Sequence, residues 1–258
     1  MIDLHCHVLP GIDDGPATIE DSLEMARSAV AAGTRTIVAT PHVSWEYPND
    51  SGTIAMLTEQ LNDRLRREGI PLEVRTGAEL ALTRVSDVPP DELDRLSLGS
   101  GGWLLLEPPF AAVIPGLAAI VADLQDRGHR IVIAHPERCE AFHRDRSLLR
   151  SLVEDGAAVS ITAGSLVGRF GRPARQLALD LLRDGLVHNV ASDAHDAVKR
   201  PPSIRAELEQ AGLVDLTEWL TGTVAAAILA GEEIPPRPQL AGPSHTTRGR
   251  RRWPLGRS

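Results

Sequence analysis

Short apolar, β-branched runs alternate along this chain with longer amphipathic stretches, the pattern of repeated βα units that build a parallel sheet. Seven runs read as strands: Ile2–His5, Thr36–Thr40, Leu72–Thr76, Trp103–Glu107, Ile131–His135, Ala157–Ile161 and His188–Ser192. Helices are expected between them. In Ile19–Ala32, residues Ile19, Leu23, Ala26 and Val30 share one stripe and Gly33 follows as a C-cap; Thr53–Glu68 with Gly69 repeats the arrangement. Further helices are predicted over Leu117–Arg127, Leu148–Asp155, Arg172–Asp184, Ser203–Ala211 and Thr217–Ala230.

Periodicity alone does not separate an open doubly wound sheet from a closed barrel. The positions of the polar residues do bear on it. Most histidines and carboxylates of interest fall at the C-terminal end of a predicted strand, on strands at both ends of the chain, and a barrel brings all such ends to one face. The expectation is an α/β fold, a seven-stranded (β/α) barrel.

The length of 258 residues and the 42% hydrophobic content suit one sizeable core. No apolar stretch approaches a membrane span, and the opening Met1-Ile2-Asp3-Leu4-His5 lacks the features of a signal peptide. Two cysteines, Cys6 and Cys139, make no disulfide framework. These features point to the cytoplasm. The net charge of −8 conceals an asymmetry: up to residue 236 there are 21 basic against 35 acidic residues, a net −14, and six of the 27 basic residues lie at or after Arg237. An acidic body argues against nucleic-acid binding. The expected organisation is a catalytic domain over 1–234 and a basic, disordered tail over 235–258.

The candidate chemistry is spread over six segments. Asp3-Leu4-His5-Cys6-His7 places two histidines at i and i+2, on one face of a strand, with Cys6 turned the other way. Thr40-Pro41-His42, Gly77-Ala78-Glu79, Leu105-Leu106-Glu107, Ala134-His135-Pro136-Glu137-Arg138 and Ser192-Asp193-Ala194-His195 each add ligand-type side chains at a strand end. Burying these groups unpaired would cost several kcal/mol each, which bound metal offsets. Mixed imidazole and carboxylate ligation without thiolate favours Mn²⁺, Fe²⁺ or Zn²⁺.

In order and spacing, DLHCH, TPH, GAE, LLEPP, AHPER and SDAH resemble the polymerase and histidinol phosphatase (PHP) superfamily. The opening IDLHCHVLPGIDDGP narrows the resemblance to the bacterial manganese-dependent protein-tyrosine phosphatases encoded with capsule and exopolysaccharide loci. It runs from Met1 to about Ala230. It implies a distorted seven-stranded barrel holding two or three divalent cations, Mn²⁺ first, with Fe²⁺, Zn²⁺, Mg²⁺ or Co²⁺ as substitutes. The ligands it implies are His5, His7, Asp14, His42, Glu79, Glu107, His135, Asp193 and His195, with Glu79 bridging two ions. Asp14 enters through the resemblance alone. The chain departs from some relatives at Ile161-Thr162-Ala163-Gly164-Ser165, where they carry Asn.

The expected reaction is direct hydrolysis by a metal-activated water, with the guanidinium forks of Arg138 and Arg200 holding the phosphoryl group. The substrate implied by the resemblance is phosphotyrosine on a partner kinase of polysaccharide synthesis. Trp45 and Tyr47 are candidates for an aromatic wall beside it, His143 for the rim, and Asp13 and Glu137 for orienting the ligands. A cysteine-dependent phosphatase is excluded, since six residues after Cys6 and Cys139 stand Ile12 and Asp145 rather than arginine. The only lysine, Lys199, lies in a loop, which leaves no carbamylated bridge, and no P-loop motif occurs. A histidinol-phosphate or other small-molecule phosphatase would use the same cluster. A phosphotyrosine-binding module without turnover is the alternative from another class.

Overall fold

In the computed structural model, which describes residues 1–238, every strand pair is parallel. The strands are β1 (Ile2–Cys6), β2 (Thr36–Ala39), β3 (His42–Val43), β4 (Glu73–Thr76), β5 (Glu79–Ala81), β6 (Trp103–Glu107), β7 (Arg130–Ala134), β8 (Ala158–Thr162) and β9 (Asn189–Ala191). They form two ladders, β1-β2-β4 and β3-β5-β6-β7-β8-β9. Leu104, Leu105, Leu106, Ile131, Val132 and Ile133 are fully buried, as expected for strands covered on both faces. Among the described residues no helix is long and apolar enough to cross a membrane.

Among the described residues the strands make two ladders rather than one continuous closed sheet. The second and third predicted strands are each followed, after a two-residue gap, by a short further strand. β2 stops where Pro41, which has no N–H to give a ladder, is followed by β3; β4 stops at Gly77 before β5. A Cβ on Gly77 would lie 2.6 Å from Cγ1 of Val38, so the backbone of the third strand passes closer to the second than any side chain permits. Thr40 spans the gap toward β1: its N–H donates to Cys6 O at 3.0 Å, and its Oγ1 accepts from Cys6 N at 3.0 Å. β9 meets β1 through backbone hydrogen bonds from Asp193 N to His5 O (2.8 Å) and from His7 N to Ala194 O (2.9 Å), with an isolated bridge between Cys6 and Ala194.

The long helices are close to those expected: Ile19–Ala31, Ser51–Arg67, Leu117–Asp126, Arg146–Glu154, Gly171–Arg183 and Ile204–Gln210, with a π-helical turn Trp219–Thr223 leading into Val224–Ala230. Thr18 caps the first through a capping box with Asp21, and Asp50 caps the second through Thr53 N. Short helices at Leu82–Val85, Pro90–Arg95 and Glu140–Arg144 were not expected from the pattern. At the end of the described chain, Pro235 O accepts from Trp219 Nε1 (3.1 Å) and Arg237 Nη1 donates to Leu182 O (2.6 Å). The rest of the expected basic tail lies outside the described residues.

Candidate metal centre

His5 and His7 stand on and just after β1 with Cys6 between them. The i, i+2 alternation turns both rings to one side, and their Nε2 atoms come within 3.2 Å of each other. Cys6 points away and is fully buried in the core, its Sγ near Ala194 O. His42 and Glu79 are register partners on β3 and β5, and Glu107 ends β6. His135 and Asp193 follow β7 and β9 in the left-handed backbone region, at φ 30° and 50°, uncommon for residues with a side chain and typical of strained functional positions.

Glu79 is the centre of the cluster. Its Oε2 lies 3.2 Å from His5 Nε2, 3.2 Å from His7 Nε2 and 3.1 Å from His42 Nδ1, while Oε1 lies 2.7 Å from His135 Nε2. Asp193 Oδ1 approaches His5 and His7 at 3.5 and 3.6 Å, and Asp14 Oδ1 approaches His195 and His42 at 3.2 and 3.5 Å. Four overlapping groups thus have donor atoms within 4.8 Å of one another: His7, Asp14, His42 and His195; His5, His7 and Asp193; His5, Glu79 and His135; His42, Glu79 and Glu107. All nine expected ligands are brought together. His5, His7, Glu79, His135 and Asp193 form the buried floor, whereas Asp14, with 46% of its side chain exposed, stands at the mouth.

Burial opposes ionisation of Glu79 and Asp193, but the neighbouring histidines, and for Asp193 also Arg200 and Arg138, hold both well below the usual carboxylate range. Burial, with the Glu79 charge beside it, pushes Glu107 upward. Burial lowers His135 to about 4, and the positive charge of Arg138 adds to that effect. For His7 burial acts downward, but hydrogen bonds to Asp13 and Glu79 carry it up to about 10. Converging carboxylate oxygens and two imidazole nitrogens aimed at one point fit divalent cations of the Mn²⁺, Fe²⁺ or Zn²⁺ type, since the donor set is oxygen and nitrogen with no thiolate.

The surrounding residues divide in ways that position in the sequence did not reveal. Asp13 Oδ2 sits 2.7 Å from His7 Nδ1 and accepts from His42 N at 3.1 Å, so one carboxylate fixes two of the histidines. Glu137 does not face the cluster. It is fully buried and accepts from Thr162 N (2.9 Å) and Ser165 Oγ (2.7 Å), tying the turn after β8 to the turn after β7. His143 Nε2 lies 2.8 Å from Glu137 O beside that turn. His129 and His188 lie by the starts of β7 and β9, outside the cluster; His188 Nδ1 accepts from Val159 N.

Arg138 and Arg200 both reach Asp193 Oδ2, at 2.5 and 2.7 Å. Arg200 Nη2 also donates to Asp193 O, and its buried Nε has no partner among the described residues. Of the two loop aromatics proposed as a wall, Tyr47 stacks on His42 with ring centroids 5.7 Å apart and lines a cleft of about 310 Å³ with Leu82, Glu107, Pro109 and Phe110. Trp45 instead donates to Thr83 O and lies under Arg84. Phe110 was missed because it follows the Pro108-Pro109 turn, where no periodicity operates; an aromatic three residues past the end of that strand was the available signal.

The chain as a whole is similar to known proteins. The model of the family described as capsular polysaccharide synthesis, CpsB/CapC, matches residues 1–211. Over 203 residues the chain is 45% identical to tyrosine-protein phosphatase YwqE of Bacillus subtilis, covering 78% of this chain and 79% of the relative. It is 32% identical over 204 residues to putative tyrosine-protein phosphatase CapC of Staphylococcus aureus, with 78% and 79% covered. A crystal structure from a study of YwqE from Bacillus subtilis and CpsB from Streptococcus pneumoniae, described as unique metal-dependent tyrosine phosphatases, matches with a TM-score of 0.82 and 40% identity over 93% of this chain and 100% of that one. The chain belongs to the CpsB/CapC family of capsular polysaccharide synthesis.

Proposed function

We propose that the chain is a metal-dependent protein-tyrosine phosphatase. The observation that carries this reading is the convergence of nine imidazole and carboxylate side chains beside two arginines that share one ligand oxygen; the names of its relatives supply the substrate class. On this reading His5, His7, Asp14, His42, Glu79, Glu107, His135, Asp193 and His195 would hold two or three divalent ions, Mn²⁺ first. When bound there, divalent cations would supply a water of lowered pKa and offset phosphoryl charge. Arg138 and Arg200 present N–H groups to phosphoryl oxygens. Asp14, the most exposed of the ligand carboxylates, completes the cluster on the side where substrate enters.

The cleft beside His42 and Glu107 favours an aryl ester. Its apolar lining, Tyr47, Leu82, Pro109 and Phe110, suits a phenyl ring, and a phenolate with a pKa near 10 leaves with little help from a general acid. We read the two ladders as a distorted seven-stranded barrel that forms one domain over 1–234, followed by a basic tail over 235–258. The setting is the cytoplasm and the partner a tyrosine kinase of polysaccharide synthesis.

The test is turnover by metal-stripped protein resupplied with Mn²⁺, using a phosphotyrosine peptide, a phosphoserine peptide and histidinol phosphate. A double variant, Asp193→Ala with His195→Ala, is run beside it. The expected result is Mn²⁺-dependent release of phosphate from phosphotyrosine that chelation and the double variant both abolish. Preference for histidinol phosphate would overturn the substrate class, and binding of phosphotyrosine without turnover would leave a recognition module in place of an enzyme.

A further inference from the structure

Arg138 lies between two aromatic rings. Its guanidinium carbon is 4.9 Å from the centroid of Phe110 and 4.5 Å from that of Phe170, and Arg200 approaches the same Phe170 ring at 5.6 Å. Two like-charged groups thus meet on one carboxylate oxygen of Asp193, and the Phe170 ring lies near both. Phe170 is not near the ligand segments in sequence. It follows the helical turn Ala163–Leu166 and immediately precedes the helix Gly171–Arg183. Its ring is seated on Gly164, where a Cβ would come within 3.2 Å of Phe170 Cε2, so that glycine leaves the ring the space it occupies.

We infer that Phe170 is a positioning residue for phosphate capture: its ring fixes the planes of Arg138 and Arg200 so that their remaining N–H groups face the incoming phosphoryl oxygens. The inference rests on the reading of those arginines as the phosphate-binding pair. An aromatic face attracts a guanidinium through its quadrupole, more strongly where water is partly excluded, and Arg138 and Arg200 expose only 19% and 26% of their side chains. Without the ring, the two cations retain Asp193 but lose the surface that defines their planes, and a long arginine side chain then explores rotamers that do not match a tetrahedral anion.

The test is binding of inorganic phosphate to the full chain loaded with Mn²⁺, measured by calorimetry for the unaltered protein, Phe170→Leu and Phe170→Tyr, with metal content and melting temperature recorded for each. The expected result is affinity weakened about tenfold in Phe170→Leu at unchanged metal content, and restored to within about twofold in Phe170→Tyr, which keeps the π-face. In turnover the same loss falls on KM more than on kcat. Equal phosphate affinity in the unaltered protein and Phe170→Leu overturns the inference, as does a lower melting temperature in both variants with no difference between them in affinity. If the unaltered, metal-loaded protein binds no phosphate, the arginine reading itself fails and the inference falls with it; if it binds phosphate but cleaves no phosphotyrosine, only the substrate class is wrong and the comparison of variants still decides.

Discussion

His42 and Glu79 are register partners on two adjacent strands of only two and three residues, and Nδ1 of the one stands 3.1 Å from Oε2 of the other. Cross-strand pairing therefore sets their separation, and neither side chain depends on a long loop for its position. The pairing exists because both parent strands break at one level, at Pro41 in one and Gly77 in the other.

Gly77→Ala tests that break. The added methyl would meet Val38 Cγ1 at 2.6 Å and Leu98 Cδ2 at 3.1 Å, so β4 must move away from β2. The expected cost is about 1–3 kcal/mol of stability. Displacing Glu79 from His42 should lower kcat/KM on the order of a hundredfold. Chemical denaturation beside kinetics checks both, and a variant with native activity would show that the glycine is dispensable.

Asp13→Asn tests the carboxylate behind the histidines. Asp13 accepts from Gly15 N and His42 N and also faces His7 Nδ1, and an amide cannot accept at every one of these points. Metal affinity or activity should fall by about 10–100-fold while the fold persists. Mn²⁺ titration followed by elemental analysis reads the effect; unchanged affinity would leave Asp13 with a packing role alone.

How much of this was legible in the sequence depends on the range of the interaction that encodes it. The helices carry their own signals in stripes, caps and terminal glycines, and the candidate segments sit where βα periodicity ends, so all nine residues that the fold brings together could be picked before it was known, eight by position and Asp14 by resemblance. Strands as short as His42–Val43 and Glu79–Ala81 have no periodicity to detect. The seat of Phe170 against Arg138, the turning of Glu137 toward Thr162 and Ser165, and the choice of Tyr47 over Trp45 at the cleft are contacts between segments far apart in the chain. Local pattern cannot specify them.

Tyr47→Ala should raise KM for a phosphotyrosine peptide about three- to tenfold and leave that for a small alkyl phosphate unaltered, because only an aryl ester uses the face beside His42. Tyr47→Phe should behave as the unaltered protein. Steady-state kinetics on the two substrates decide it: equal losses on both would move the aryl seat elsewhere.

Burial holds the pKa of His188 below its ordinary value, and its neutral Nδ1 accepts from Val159 N at 3.2 Å. As pH falls below about 6.5, the unfolded chain takes up a proton that the folded chain resists. Stability should therefore decline from that pH downward until the folded value is passed, and be fully present above it. Urea unfolding of metal-loaded protein at pH 7.5 and 5.5 should show a smaller acid loss for His188→Gln than for the unaltered chain. An identical loss in both would assign the acid sensitivity to other groups.

The backbone hydrogen bonds that join Asp193 to His5 and His7 to Ala194 have a consequence for biosynthesis. His5 and Asp193 leave the ribosome nearly the whole domain apart, and they become neighbours only once the seventh predicted strand has docked beside the first. A nascent chain holding His5 and His7 alone has the beginnings of a chelator but no site. On the proposed ligand assignment tight cation capture comes at the end of folding, so metal loading would report the completed domain, and a chain stalled before Asp193 should emerge metal-poor.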